Sequence, residues 1–349
     1  MAAITSPRFG SLFPRGWHVD IGIDGVAGRL ADSGLRTSQN SQQKDQIEAS
    51  ASQPRSGLSV FSICAVAFTD TRLAPGKLVR HSMQDKFAAV LEDPGLEVVT
   101  DYLNKWQVDL QDVADPDHVT RKGGWYEKWE ELAWLNTLML GATTPPGHEA
   151  RHDFFLMHSH NAVLFLPSML PLLSPTARSK LLHCLWRITF TTWIARGRPP
   201  FYIRDTLYKQ SRIQRDPQKT VAIKDTEGHS LVSTKKRSPW VDILEAAANH
   251  GDEHAMKALR TQIYLATVLS ATESGSLHLQ PAIRKQLAAL DESAHLFKGL
   301  ERLDGTAFAR TAAQLLNSQG WRHDGAFHWD FNGPGFPETW SPRAAEGRQ

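Results

Sequence analysis

The sequence predicts an all-α protein, a single irregular multi-helix domain over residues 81–349 behind a poorly ordered N-terminal region, residues 1–80. Three observations carry that reading. From Met83 onward, segment after segment repeats apolar residues at three- and four-residue spacing, which places them on one face of a helix. Glycine and proline sit where such helices stop. The one strand-like apolar run, VFSICAVAF from Val60, has no hairpin partner nearby.

Taken in order, residues 30–57 are rich in Ser, Gln and charge and nearly free of aromatic and β-branched residues, so they bury too little apolar surface to offset ordering. Helical patterns then run through MQDKFAAVLED, LEVVTDYLNKWQVDLQDV and WYEKWEELAWLNTLMLG, the last ended by Gly141 and the Pro145-Pro146 pair. The stretch HDFFLMHSHNAVLFLPSMLPLL is apolar almost all round and predicts one helix sunk in the core. Ser174 followed by Pro175 fits an N-cap with proline in the first turn, opening a helix through Ala195 that RGRPP breaks. Residues 209–239 are polar and predict a surface excursion. Pro239 and Trp240 open a further helix, interrupted near Gly251, and two more start at Ala282 and Thr306. The segment GWRHDGAFHWDFNGPGFPETW predicts an irregular tail packed by its rings.

Composition narrows the function. Hydrophobic residues at 41% and charged residues at 22% are a globular balance, and 39 basic against 37 acidic residues leave a net charge of +2. That charge gives no reason to expect nucleic acid or an anionic membrane, so the expected partner is a small molecule. Two cysteines, Cys64 and Cys184, make a disulfide scaffold improbable. The start lacks the apolar region of a secretory signal and no apolar run is long enough to span a bilayer, so a cytoplasmic location is expected. There is no GxGxxG, P-loop, GxSxG or CxxC, which removes dinucleotide folds, hydrolase elbows and structural zinc.

The histidines remain. Eight of the fifteen fall between His148 and His254. His158, inside FFLMHSHNAVLFL, reads either as a hydrogen-bonded core histidine or as a ligand, and His160, two positions on, belongs to another helical face. In His250-Gly-Asp-Glu-His254-Ala-Met-Lys257 the three- and four-residue spacings can converge on one ion, although an ordinary surface helix explains the same residues and Gly251 can leave His250 outside it.

The ordered set ELAWLNTLMLGAT, HDFFLMHSHNAVLFLPSML, RGRPP, SPWVDILEAAANHGDEHAMKALR and FHWDFNGPGFPETW resembles the questin oxidase family, over about residues 85–345. The resemblance implies an oxidoreductase of fungal aromatic polyketide metabolism that opens an anthraquinone ring in an oxygen-dependent, Baeyer-Villiger-type oxidation. It implies a mononuclear non-heme Fe(II) held by His158, His254 and a Lys257 carboxylated on its amine, with His250, and after it His160 or His152, as further candidates. NADPH is the reductant that the resemblance allows. The flat substrate, with O2 as partner, calls for an apolar cavity that Phe154, Phe155, Phe165, Trp186 and Trp240 can wall. The family's N-terminal HNHxxHHLL and HPLIHxGYG types of motif have no counterpart here, which leaves the alternative of a shortened, catalytically impaired relative that binds a polyketide or a pathway enzyme.

Overall fold

The computed structural model describes residues 57–78, 94–108, 124–209, 238–277, 296–321 and 328–340, with isolated positions between them. Within these it is helical, as the sequence predicts. The helices are α1 (Val60–Thr69), α2 (Gly95–Leu103), α3 (Gly124–Gly141), α4 (Phe154–Ala162), the short α5 (Leu166–Met169), α6 (Pro175–Ala195), α7 (Pro239–Asn249), α8 (Glu253–Leu269) and α9 (Ala307–Gln319). Six two-residue strands pair as β1 (His152–Asp153) with β6 (Trp329–Asp330), β2 (Phe201–Tyr202) with β5 (Phe297–Lys298), and β3 (Ile223–Lys224) with β4 (Ser230–Leu231). The first two pairs are parallel, and the first sets His152 opposite Trp329 and Asp153 opposite Asp330.

Helix α3 is the centre, because its apolar residues are not confined to one stripe. Trp129, Leu132, Ala133, Trp134, Leu135, Leu138 and Met139 are all fully buried, and α3 packs on α1, α4, α6 and α9. At its last residue α9 comes so close that a Cβ on Gly141 would lie 2.3 Å from Thr311 Oγ1, so only glycine fits the crossing. The expected cap of α6 is present: Ser174 Oγ accepts the Ala177 N–H at 3.3 Å. After α6, Gly197 and Arg198 both take positive φ, 83° and 53°, and turn the chain back toward β2.

Several boundaries differ from the sequence reading. The packed body starts before residue 80: Ser59 caps α1, whose Val60, Phe61, Ile63 and Cys64 are in the core. The rest of the expected N-terminal region, residues 1–56, lies outside the described residues, as does most of the helix expected from Ala282 and of the 209–239 excursion. Helix α2 ends at Leu103, well short of the period, because Lys105 gives its carbonyl to the Leu58 N–H and Trp106 turns into the core to donate to Glu131. The single helix expected over 152–173 is broken into β1, α4, α5 and a 3-10 turn (Leu170–Leu172). Pro167 and Pro171 interrupt its hydrogen bonding, and Phe165, Met169 and Leu172 are left exposed.

Asp153 fixes where α4 begins. Its Oδ1 accepts the N–H groups of Phe155 and Leu156 at 2.9 and 3.0 Å, capping the helix. Its Oδ2 meets Arg196 at 2.6 Å, both side chains being fully buried. Arg196 Cζ also lies 4.7 Å from the centre of the Phe155 ring. The RGRPP break thus anchors the helix that carries His158.

Candidate functional site

Helices α4 and α8 pack together and bring His158 to His254, with ring centroids 5.6 Å apart and planes nearly perpendicular. Phe154, one turn before His158, touches both imidazoles, at 4.6 Å from His158 and 4.9 Å from His254. It also meets Phe331, at 4.9 Å, which follows β6 and approaches Phe155. Two histidines therefore share an aromatic wall assembled from two distant stretches of chain.

Their electrostatics differ. His158 keeps an exposed edge, while burial of the rest of the ring, followed by the charges of His254 and Lys257, holds its imidazole down at about 4, neutral at physiological pH. His254 is part-buried and tied at Nδ1 to Asp252 Oδ1, 3.2 Å away. The same oxygen accepts the His254 N–H at 2.9 Å as the N-cap of α8. Asp252 Oδ2 accepts from the indole of Trp329 at 2.5 Å. Burial alone would raise the Asp252 carboxyl, but the His254 bonds and then that of Trp329 outweigh it and hold it at about 2.

Lys257 lies one turn beyond Glu253, whose Oε2 is 3.1 Å from Nζ, with both side chains half exposed. Its charge is felt at His158, while the rings that the structure brings together are those of His158 and His254.

His250 is not with them. Its Nδ1 accepts the Asp252 N–H at 3.1 Å and its Nε2 faces the Gly320 carbonyl at 3.2 Å, so both ring nitrogens are spent on joining α7 to α8 and α9. Gly251 ends the helical register there, as the sequence allows. His160 is fully buried on the opposite face of α4, bonded through Nε2 to Gln262 at 3.1 Å, and burial pushes it down to about 3. His152 bonds through Nδ1 to Ser318 Oγ at 2.8 Å and is pushed down to about 4 by burial. These three histidines are structural.

Of the expected wall residues, Phe154 and Phe155 are beside the pair, but Phe165 is exposed and Trp186 is sealed in the core, donating to the Leu103 carbonyl. Trp240 packs between the two parts of the core. Phe331 and Trp329 were not singled out by sequence reasoning; the ring-rich C-terminal segment was the only signal for them.

Rings 5.6 Å apart can reach one ion through bonds of about 2.0–2.1 Å, and a carboxylate on the far nitrogen of His254 is how metal-bound histidines are usually held. The pair fits as two ligands. Among the described residues no group of three or more His, Cys, Asp or Glu could hold a metal ion, so further donors would have to come from Lys257 or from outside that set.

A cavity of about 890 Å³ lies elsewhere, lined by the 144–151 loop, Asp205, Lys209, Asn317, Ser318 and His328 among others. Its lining mixes polar and apolar groups and includes neither His158 nor His254. No helix among the described residues is long and apolar enough to cross a membrane.

With this geometry in hand, comparison of the sequence with family models finds one match, described as questin oxidase-like, over residues 25–262. The chain belongs to the questin oxidase-like family. The match spans His158, His254 and Lys257, starts upstream of the segments that carry the resemblance, and ends before α9 and the segment bearing Trp329 and Phe331. No curated protein matches the chain. Family membership implies oxidoreductase activity.

Proposed function

We propose that this questin oxidase-like protein uses dioxygen to oxidise a hydroxylated anthraquinone or related aromatic polyketide of fungal secondary metabolism, in a Baeyer-Villiger-type ring cleavage at the His158–His254 pair. One observation carries the reading: two imidazoles from separate helices converge at 5.6 Å against an aromatic wall, while the other histidines around them are consumed by hydrogen bonds. Iron held there by His158 and His254 supplies redox chemistry toward dioxygen.

The chain's own residues do the rest. Phe154 and Phe331 offer ring faces on which a flat polycyclic substrate stacks and which keep water from its reacting edge. Asp252 fixes the His254 ring, so its Nε2 points the same way in every molecule. Burial keeps His158 neutral, its lone pair available. The Lys257–Glu253 pair is an exposed ion pair of small stability, so Lys257 can leave it and, carboxylated, offer an anionic oxygen to the site.

The test is oxygen uptake by iron-loaded protein given a hydroxylated anthraquinone, with and without NADPH, and with the product identified by mass. Substrate-dependent uptake with a ring-opened product supports the proposal, and the NADPH arm decides whether the reductant is required. Fluorescence quenching by the anthraquinone without any oxygen uptake overturns it in favour of a binding protein that does no turnover.

A further inference from the structure

Trp329 stands outside the family match, on a two-residue strand, 77 residues beyond the side chain it bonds. It is nearly fully buried, and an indole N–H is a donor only, so it must find an acceptor inside the protein. The acceptor is Asp252 Oδ2. That leaves Asp252 one other oxygen, Oδ1, which serves both the backbone N–H and the ring Nδ1 of His254. A carboxylate only accepts, so the His254 nitrogen facing it must carry the hydrogen, and the opposite nitrogen, Nε2, is the one with a free lone pair.

From this chain of bonds we propose that Trp329 is a positioning residue: by occupying one oxygen of Asp252 it locks the other against His254 and so sets which nitrogen of His254 is presented to a metal. The inference rests on reading His254 as a metal ligand, but the tautomer it predicts exists without metal. It accounts for two facts together. Asp252 is nearly buried although it caps a helix end, and the strand pair that holds Trp329 brings the C-terminal segment to the site instead of to the surface. It also gives Phe331, two residues on, its place against Phe154. A purely structural Trp329 would tie the strand down equally well without fixing the imidazole.

The experiment uses the full chain, labelled with nitrogen-15 and free of metal. Long-range proton–nitrogen spectra read the His254 tautomer, and Co(II) titration followed by its visible absorption reads affinity. Wild-type protein is expected to show hydrogen on Nδ1. Trp329→Phe, which keeps the ring and removes the donor, is expected to give mixed tautomers and to weaken Co(II) binding by about tenfold or more. Asp252→Asn, which can donate toward Nδ1, is expected to shift His254 toward the Nε2–H form, and serves if Trp329→Phe fails to fold. Trp340→Phe, whose indole donates to Pro334 well apart from the pair, is expected to change neither reading. Hydrogen on Nε2 in the wild type, or a Trp329→Phe protein with the wild-type tautomer, overturns the proposal. If even wild-type protein takes up no Co(II), the metal reading fails, and the tautomer still decides the role of Trp329.

Discussion

The cavity and the histidine pair teach opposite lessons about where chemistry sits. The cavity of about 890 Å³ has the volume of a ligand site, yet two of the residues lining it serve as partners in structural ties: Ser318 is bonded to His152, and the Gly320 carbonyl to His250. The His158–His254 pair lines none of that cavity, yet it has an aromatic wall and a held carboxylate. Volume marks space, whereas uncommitted ligand nitrogens mark capacity for a reaction.

Both regions depend on β1, so the most severe way to test their separation is to remove what they share. Asp153→Asn weakens the cap of α4 and leaves Arg196 buried without its counter-charge, and is expected to cost about 3–5 kcal/mol in denaturant unfolding. A loss within about 1 kcal/mol would show that α4 is held by packing alone.

Acid should weaken the fold through its buried histidines, His152 as well as His158 and His160 on α4. His152 is buried and has its pKa lowered from about 6.5 to about 4, so the unfolded chain takes up a proton there before the folded one does. Its contribution is fully present above about pH 6.5 and is lost as pH falls toward 4, worth about 3 kcal/mol at most. Unfolding midpoints measured between pH 7 and 4 should fall accordingly, and His152→Gln should flatten that slope. An unchanged slope would contradict the burial argument.

A smaller effect separates the regions by function. Phe331→Ala removes half of the aromatic wall and is expected to raise the KM for an anthraquinone by about tenfold, as loss of a stacked ring does. Asn317→Ala, in the cavity, is expected to leave KM unchanged. Equal effects from both would move the substrate to the cavity. The smallest effect is Glu253→Gln, which breaks the exposed pair with Lys257 and should change stability by less than about 1 kcal/mol.

Much of this was legible in the sequence, for reasons that particular residues make plain. Ser174 and Pro175 announce α6 because capping is local, and the break at Gly251 is local too. His158, His254 and Lys257 came from the ordered family resemblance, since spacing alone left them ambiguous, and the fold brings the rings of His158 and His254 to 5.6 Å. His250, the weaker candidate, has its ring nitrogens on two backbone groups, Asp252 N–H and Gly320 O, that no side-chain pattern encodes. Phe331 and Trp329 were missed because they reach the site through a two-residue strand pairing with β1, about 177 positions away in register, and pairings so short leave no periodicity. The apolar run through Leu166 hid a broken helix, since burial and proline pull in opposite directions there.

The central claim is that His158 and His254 form one site, and a double-mutant cycle on oxygen uptake tests it most directly. His158→Ala and His254→Ala are each expected to lower kcat/KM by about a hundredfold or more, and the double variant to be no worse than either alone, because residues acting as a unit lose their function together. Losses that multiply in the double variant, or activity that survives both substitutions, would contradict the account.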